Sequence, residues 1–155
     1  AGRLFDAVAS LLGVCHVATY QAEGPMKLEA LVQKNCTERY AFNIDQTIRF
    51  DATIRGIVDD ILSGVDKSTI ATKFHNTIIS VIFESANVIR GRERINKVVL
   101  SGGVFQNKYL LEGSITLLGK HNFEVFTHTV VPTNDGGIAL GQLAIASKRR
   151  ELKCV

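Results

Sequence analysis

VVLSGGVFQN, residues 98–107, is the stretch whose reading decides the fold. An apolar run with the look of a buried strand passes straight into Ser101-Gly102-Gly103, and a helical pattern, NKYLLEGSITLLG, opens at Asn107. Glycines at such a junction let a ligand approach the backbone, and the helix N-terminus has N–H groups to offer an anion. For a lone Gly-Gly the simpler reading is a tight turn whose glycines serve backbone geometry alone. The spacing is neither the dinucleotide-binding G-x-G-x-x-G nor the P-loop.

Downstream, VVPTNDGGIALGQLAIA (130–146) repeats the plan: a strand end, from FEVFTHTVV (123–131), then Asn134-Asp135, two glycines and a helical pattern. Asp135 is placed to cap that helix, and a cap is worth roughly 1 kcal/mol. A hard carboxylate in a glycine loop equally suits Mg²⁺, Mn²⁺, Fe²⁺ or Zn²⁺. Capping is the ordinary role for one loop taken alone. Two glycine-backed strand exits in succession point instead to one cleft, because ligands in open α/β sheets gather at the carboxyl ends of strands.

Upstream the pattern is mainly helical. Leu4, Val8 and Leu11-Leu12 fall at helical spacing before Gly13, and Pro25 is expected to open a second helix, MKLEALVQK. RYAFNI (39–44) and TIRF (47–50) read as a hairpin around Asp45-Gln46. Asp51 is the expected N-cap of a helix ending at Gly64, and Ser68 that of the longest helix, roughly 69–90, with Phe74, Ile78, Val81-Ile82 and Ile89 turned inward. Helical entry, hairpin, two helices and then β-α-β-α define an α/β layer structure. The 155 residues are one domain's worth, with no internal repeat and no low-complexity linker.

Composition narrows the function classes. A net charge of +3 with only two small basic clusters, Arg90/Arg92/Arg94 and Lys148-Arg149-Arg150, reads as solvated helix ends, so nucleic acid is not favoured as a partner. Three separated cysteines, Cys15, Cys36 and Cys154, make no C-x-x-C pair, which speaks against a disulfide framework or zinc ribbon and for a reducing, cytoplasmic setting. No apolar run approaches the ~18 residues of a membrane span, so no membrane role is expected. The chain is helical almost from its first residue, as initiator-methionine removal or excision from a larger protein would both explain. His16, His75, His121 and His128 form no H-x-x-x-H or H-E-x-x-H set. His75, within the long helix, is expected to be a hydrogen-bonded histidine rather than a ligand, and no nucleophile–base set emerges from spacing. Asp6 sits mid-helix, where an exposed aspartate is the plain reading.

Together GRLFDAVASLLG (2–13), KFHNTI (73–78), VVLSGGVFQN and VPTNDGGIALGQ (131–142) resemble the C-terminal part of the hydrogenase-maturation carbamoyltransferase family, HypF. That part is similar to the catalytic subunit that makes threonylcarbamoyl-adenosine in tRNA. The resemblance implies one lobe of the two-lobed actin-like, sugar-kinase-like (ribonuclease H-like) ATPase fold, helix-rich α/β. Residues 1–155 would be its second lobe, with the first lobe and other domains expected upstream. It further implies that Asp6 holds the nucleotide's ribose hydroxyls, that Gly102 and Gly103 line the nucleotide, and that Asn107 reaches the base or ribose. Asp135 would be the second lobe's ligand to a divalent metal (Mg, Zn or Fe), completed by an H-x-x-x-H on the first lobe.

By the same resemblance the full enzyme makes a carbamoyl-adenylate from carbamoyl phosphate and ATP. It then passes the carbamoyl group to the C-terminal cysteine of a HypE-like acceptor protein, on the route to the cyanide ligands of [NiFe]-hydrogenase. The lobe alone is expected to be inactive and, with an apolar face left bare, to form a homodimer. One segment departs from the family: TYQAEGPMKLEA (19–30) stands where a Tyr-Glu-Gly-Gln-type loop is usual, with Gln21-Ala22 for Glu-Gly and Lys27 for an acidic residue. Three alternatives stay open: a lobe of the tRNA threonylcarbamoyl-transfer subunit, a sugar- or acetate-kinase-like lobe, and a non-catalytic module that has kept the fold.

Overall fold

The computed structural model describes residues 2–33 and 36–153, and side chains as far as residue 150. Lys34, at the end of the expected second helix, and Cys154 lie outside the described residues; Cys15 and Cys36 are free thiols. The chain runs α1 (Gly2–Leu11), α2 (Glu23–Ala30), β1 (Asn43–Ile44), β2 (Ile48–Arg49), α3 (Asp51–Leu62), α4 (Lys67–Glu93), β3 (Lys97–Leu100), a 3₁₀ turn (Gly103–Gln106), α5 (Lys108–Lys120), β4 (Glu124–Thr127), a second 3₁₀ turn (Asp135–Gly137) and α6 (Ile138–Lys153).

The apolar spacing of the helices builds the core. Phe5, Val8, Ala9 and Leu12 from the α1 segment meet Leu28, Ile57, Ile70, Ala71, Phe74, Ile78 and Leu110. Phe5 and Phe74 pack edge to face, ring centroids 4.9 Å apart. Each such fully buried side chain contributes about 1.5–3 kcal/mol. A smaller core of Leu100, Leu118 and Phe123 lies between α5 and the strands.

β3 and β4 pair in parallel, Leu100 opposite Thr127, joined through α5 as a β-α-β connection must be. Strand alternation sends Val98 and Leu100 to the core, while Val99 (68% exposed) and Phe126 (42%) lie bare on the other face.

Several boundaries differ from the sequence reading. The long helix starts at Lys67, and its cap is Asp66, not Ser68: the Asp66 carboxylate accepts the Ser68 N–H at 3.1 Å. It runs past Gly91 to Glu93, and Ile89 is 52% exposed rather than inward, because the end of the helix extends beyond the core. Asp51 is the first residue of α3, not its cap, and its carboxylate pairs with Arg49. Glu23, not Pro25, begins α2.

The hairpin is antiparallel as expected but only two residues deep. Residues 36–42 join no strand: Tyr40 N–H donates instead to Thr77 Oγ1 (2.8 Å), and the Asn76 amide donates to the Cys36 and Glu38 carbonyls (2.9 Å each). The last strand stops at Thr127, well short of Val131.

Candidate functional site: a cleft at the strand ends

The carboxyl ends of β3 and β4 open into one cleft. Gly102, with φ +105°, takes a backbone conformation that favours glycine, and its N–H donates to the Thr133 carbonyl at 3.0 Å, tying the two post-strand loops together. In the second loop a Cβ on Gly137 would come within 2.9 Å of the Pro132 carbonyl oxygen. The cleft, about 1070 Å³, is walled by Gly102, Gly103, Val104, Gln106 and Asn107 after β3 and by Asn134, Asp135 and Gly136 after β4. Gly2 and Phe5 of α1, with Gln21, Ala22, Pro25, Met26 and Glu29 on and before α2, form the opposite wall.

Four of the five residues singled out in the sequence, Gly102, Gly103, Asn107 and Asp135, therefore share one surface. Asp6 is exposed on α1, outside that lining; its Oδ1 would sit 3.4 Å from a Cβ on Gly24, so it belongs to the α1–α2 side. Asp135 is exposed at the start of the second 3₁₀ turn, and the capping role there belongs to Asn134, whose Oδ1 accepts the Gly136 N–H at 3.0 Å. No group of three or more His, Cys, Asp and Glu side chains among the described residues could hold a metal. Among the described residues, therefore, Asp135 has no companion ligands and would fit a metal only as one member of a set completed from elsewhere.

Asn107 does more within the protein than its spacing suggested. It is buried (8% exposed), and its Oδ1 accepts the Leu110 N–H at 2.8 Å, capping α5. Its Nδ2 lies 2.9 Å from His75 Nε2. His75 is the hydrogen-bonded core histidine expected, fully buried, with Nδ1 2.7 Å from the Ala71 carbonyl. Burial holds its pKa down at about 4 against an ordinary 6.5.

The α5 N-terminus is not open to an anion. Glu29 Oε1 accepts the Lys108 N–H (2.7 Å) and the Tyr109 N–H (3.3 Å), and Asn107 takes the third. A carboxylate already occupies the place where a phosphate would have bound, which corrects the anion reading of this helix. Nothing local in the sequence marks Glu29, because its partners are 79 and 80 residues away.

Gln21 and Ala22 of the atypical 21–24 loop lie in the cleft wall. Ala22 stands at φ +63°, and the buried Glu23 accepts from Thr19 N–H (2.6 Å), Thr19 Oγ1 (2.9 Å) and Lys27 Nζ (2.6 Å). Those bonds, Lys27 first, lower its pKa to about 2. Ser101 Oγ and His128 Nε2, which no spacing rule joined, meet at 2.8 Å just beyond the paired strand ends.

A β-α-β-α lobe with its cleft at the strand ends defines a class: one lobe of an actin-like, sugar-kinase-like ATPase fold. The family model described as "Carbamoyltransferase, Kae1-like Domain, second subdomain" matches residues 1–142, and the chain belongs to that family. It is 36% identical to carbamoyltransferase HypF of Synechocystis sp. over 99% of its own length and 20% of that protein. It is 32% identical to the probable carbamoyltransferase HypF of Methanocaldococcus jannaschii, over 91% of this chain and 19% of that one. Among solved structures, full-length HypF in its phosphate- and nucleotide-bound form superposes with a TM-score of 0.91 at 44% identity, over 95% of this chain and 24% of that one. HypF of T. kodakarensis gives 0.85 at 25% identity, over 97% of this chain and 20% of that one. The chain thus spans a fifth to a quarter of these relatives. Both of these curated relatives carry the name carbamoyltransferase HypF.

Proposed function

We propose that this chain forms the second-lobe wall of the nucleotide site of a cytoplasmic carbamoyltransferase. The complete enzyme uses carbamoyl phosphate and ATP, through a carbamoyl-adenylate, to carbamoylate the C-terminal cysteine of a HypE-like acceptor protein. The observation that carries this reading is the single cleft uniting Gly102, Gly103, Asn107 and Asp135 in a chain of the HypF family. A HypF relative solved with phosphate and nucleotide bound, 44% identical over nearly the whole chain, supports a nucleotide as occupant.

Asp6 accepts from ribose hydroxyls at the α1–α2 side, the Gly102–Gly103 backbone lets the nucleotide approach closely, and Asn107 bonds it from the wall after β3. Since Glu29 fills the α5 N-terminus, the phosphates are expected along the glycine turns instead. Asp135, with ligands from the first lobe, would hold a divalent metal, and that ion would supply Lewis-acid polarisation of phosphate or carbamoyl oxygens. The acceptor thiol provides the nucleophile, so this lobe contributes positioning and electrostatics. The first lobe faces this cleft in the whole protein, and in its absence the bare apolar surface favours a homodimer.

Calorimetric titration of Mg·ATP into this chain tests the reading, with Asp6→Asn and Asp135→Asn in parallel; both residues are exposed, so neither change threatens the core. Asp6→Asn is expected to weaken binding about tenfold, the loss of one charged hydrogen-bond acceptor. Asp135→Asn, which removes the one metal ligand this lobe would contribute, is expected to reduce the gain in affinity that Mg²⁺ gives. Binding indifferent to both would refute the residue assignment. Carbamoyl transfer to a cysteine-ended peptide by the purified chain alone would refute the half-site reading.

A further inference from the structure

We infer that His75 is a positioning residue of this cleft: through Nε2 it fixes which way the Asn107 side-chain amide faces, so that Asn107 meets a bound nucleotide with an N–H. The inference rests on the nucleotide reading above and adds to it a residue that has no access to the ligand.

The geometry leaves one consistent arrangement. The Ala71 carbonyl can only accept, so His75 Nδ1, 2.7 Å away, carries the proton. In the neutral ring Nε2 is then a bare lone pair, and the group facing it at 2.9 Å must be a donor, the NH₂ of Asn107. That turns Oδ1 of Asn107 toward the Leu110 N–H at 2.8 Å, as a cap requires. Rotating the amide by half a turn would set Oδ1 against the Nε2 lone pair and NH₂ against the Leu110 N–H, two repulsive contacts in place of two bonds.

The imidazole cannot turn away to relieve such a clash. It is edge to face with Phe5 (5.2 Å), Phe74 (6.0 Å) and Tyr109 (5.8 Å), one ring each from α1, α4 and α5. One Nδ2 proton of Asn107 goes to His75; the other has no partner among the described residues, and Asn107 stands in the cleft wall beside Gly103. The ligand that fits presents an acceptor there, a sugar or phosphate oxygen or an unprotonated ring nitrogen. The chain of bonds runs from the α4 backbone at Ala71 to the cleft.

Two measurements on this chain test the inference. First, ¹⁵N NMR at pH 7 without nucleotide should show His75 protonated on Nδ1 and bare on Nε2, with a scalar coupling between Asn107 Nδ2 and His75 Nε2. A proton on Nε2, or no coupling, overturns the proposal. Second, Mg·ATP is titrated into His75→Gln and His75→Leu, each checked for folding by its dispersed spectrum. Glutamine keeps an acceptor and should hold affinity within about threefold, whereas leucine, which releases the amide, should lose about tenfold, one hydrogen bond's worth. Unchanged affinity in a folded His75→Leu overturns the proposal, since a purely structural histidine would lower stability and leave affinity alone. An unmodified chain that does not bind Mg·ATP overturns the nucleotide reading, while the coupling, read without ligand, still decides the amide's orientation.

Discussion

At the residue scale, Ala22 carries local strain. Its φ of +63° is a left-handed conformation that costs an L-residue about 1–2 kcal/mol, and it lies in the cleft wall where the family loop commonly has glycine. Ala22→Gly should therefore stabilise the fold by about 0.5–1 kcal/mol after the extra unfolded-state entropy of glycine is subtracted, as measured by urea unfolding. A loss of stability would mean that the alanine methyl makes contacts worth more than the strain.

His75 predicts a second outcome. The unfolded imidazole takes a proton near pH 6.5, whereas the buried one resists until about pH 4. Its contribution to stability is complete above pH 6.5 and drains away as pH falls toward 4, by roughly 3 kcal/mol at about 1.4 kcal/mol per pH unit between the two values. Denaturation at stepped pH should show this limb, and His75→Gln should flatten it.

At the element scale, two helix starts depend on carboxylates. Asp66→Ala removes the side-chain cap of α4 and should cost about 1 kcal/mol, while Asp51→Ala, which loses only an exposed pair with Arg49, should change stability by less than about 0.5 kcal/mol. Equal effects would return Asp51 to the capping role its position in the sequence suggests. For α5 the carboxylate comes from another helix. Glu29→Ala leaves the Lys108 and Tyr109 N–H groups unpaired and should cost about 1–3 kcal/mol, with amide exchange hastened at those two residues first. Uniform protection across α5 in that variant would mean that solvent replaces Glu29 without penalty.

At the scale of the whole molecule, two apolar faces stand out among the exposed apolar side chains of the described residues. One is the outer face of the β3–β4 sheet, with Val99 and Phe126; the other is α6, where Leu140, Leu143 and Ile145 are each more than half exposed. Relatives four to five times its length have further chain with which to cover such faces. The isolated chain is expected to self-associate in sedimentation experiments, and Phe126→Lys with Leu143→Lys should shift it toward monomer. A monomer at high concentration without those changes would count against this. Among the described residues no helix is long and apolar enough to cross a membrane.

The order and type of the elements were legible in the sequence, because helical spacing, period-two alternation and glycine turns are written within a few residues of one another. So were the two glycine-backed loops, and through them the family. The cap of α4 lies two residues before the one the sequence suggests, because Asp66 and Ser68 are both good caps and only the backbone at Asp66 shows where the helix begins. Tertiary structure alone brought the post-strand loops and the α1–α2 wall into one cleft and left Asp6 beside its lining rather than in it. It alone placed Glu29 on the α5 N-terminus and His75 behind Asn107, 32 residues away. The physical reason is range: a cap or a turn is satisfied by its neighbours in the chain, whereas a buried polar atom takes whichever partner packing delivers, and no local pattern names that partner.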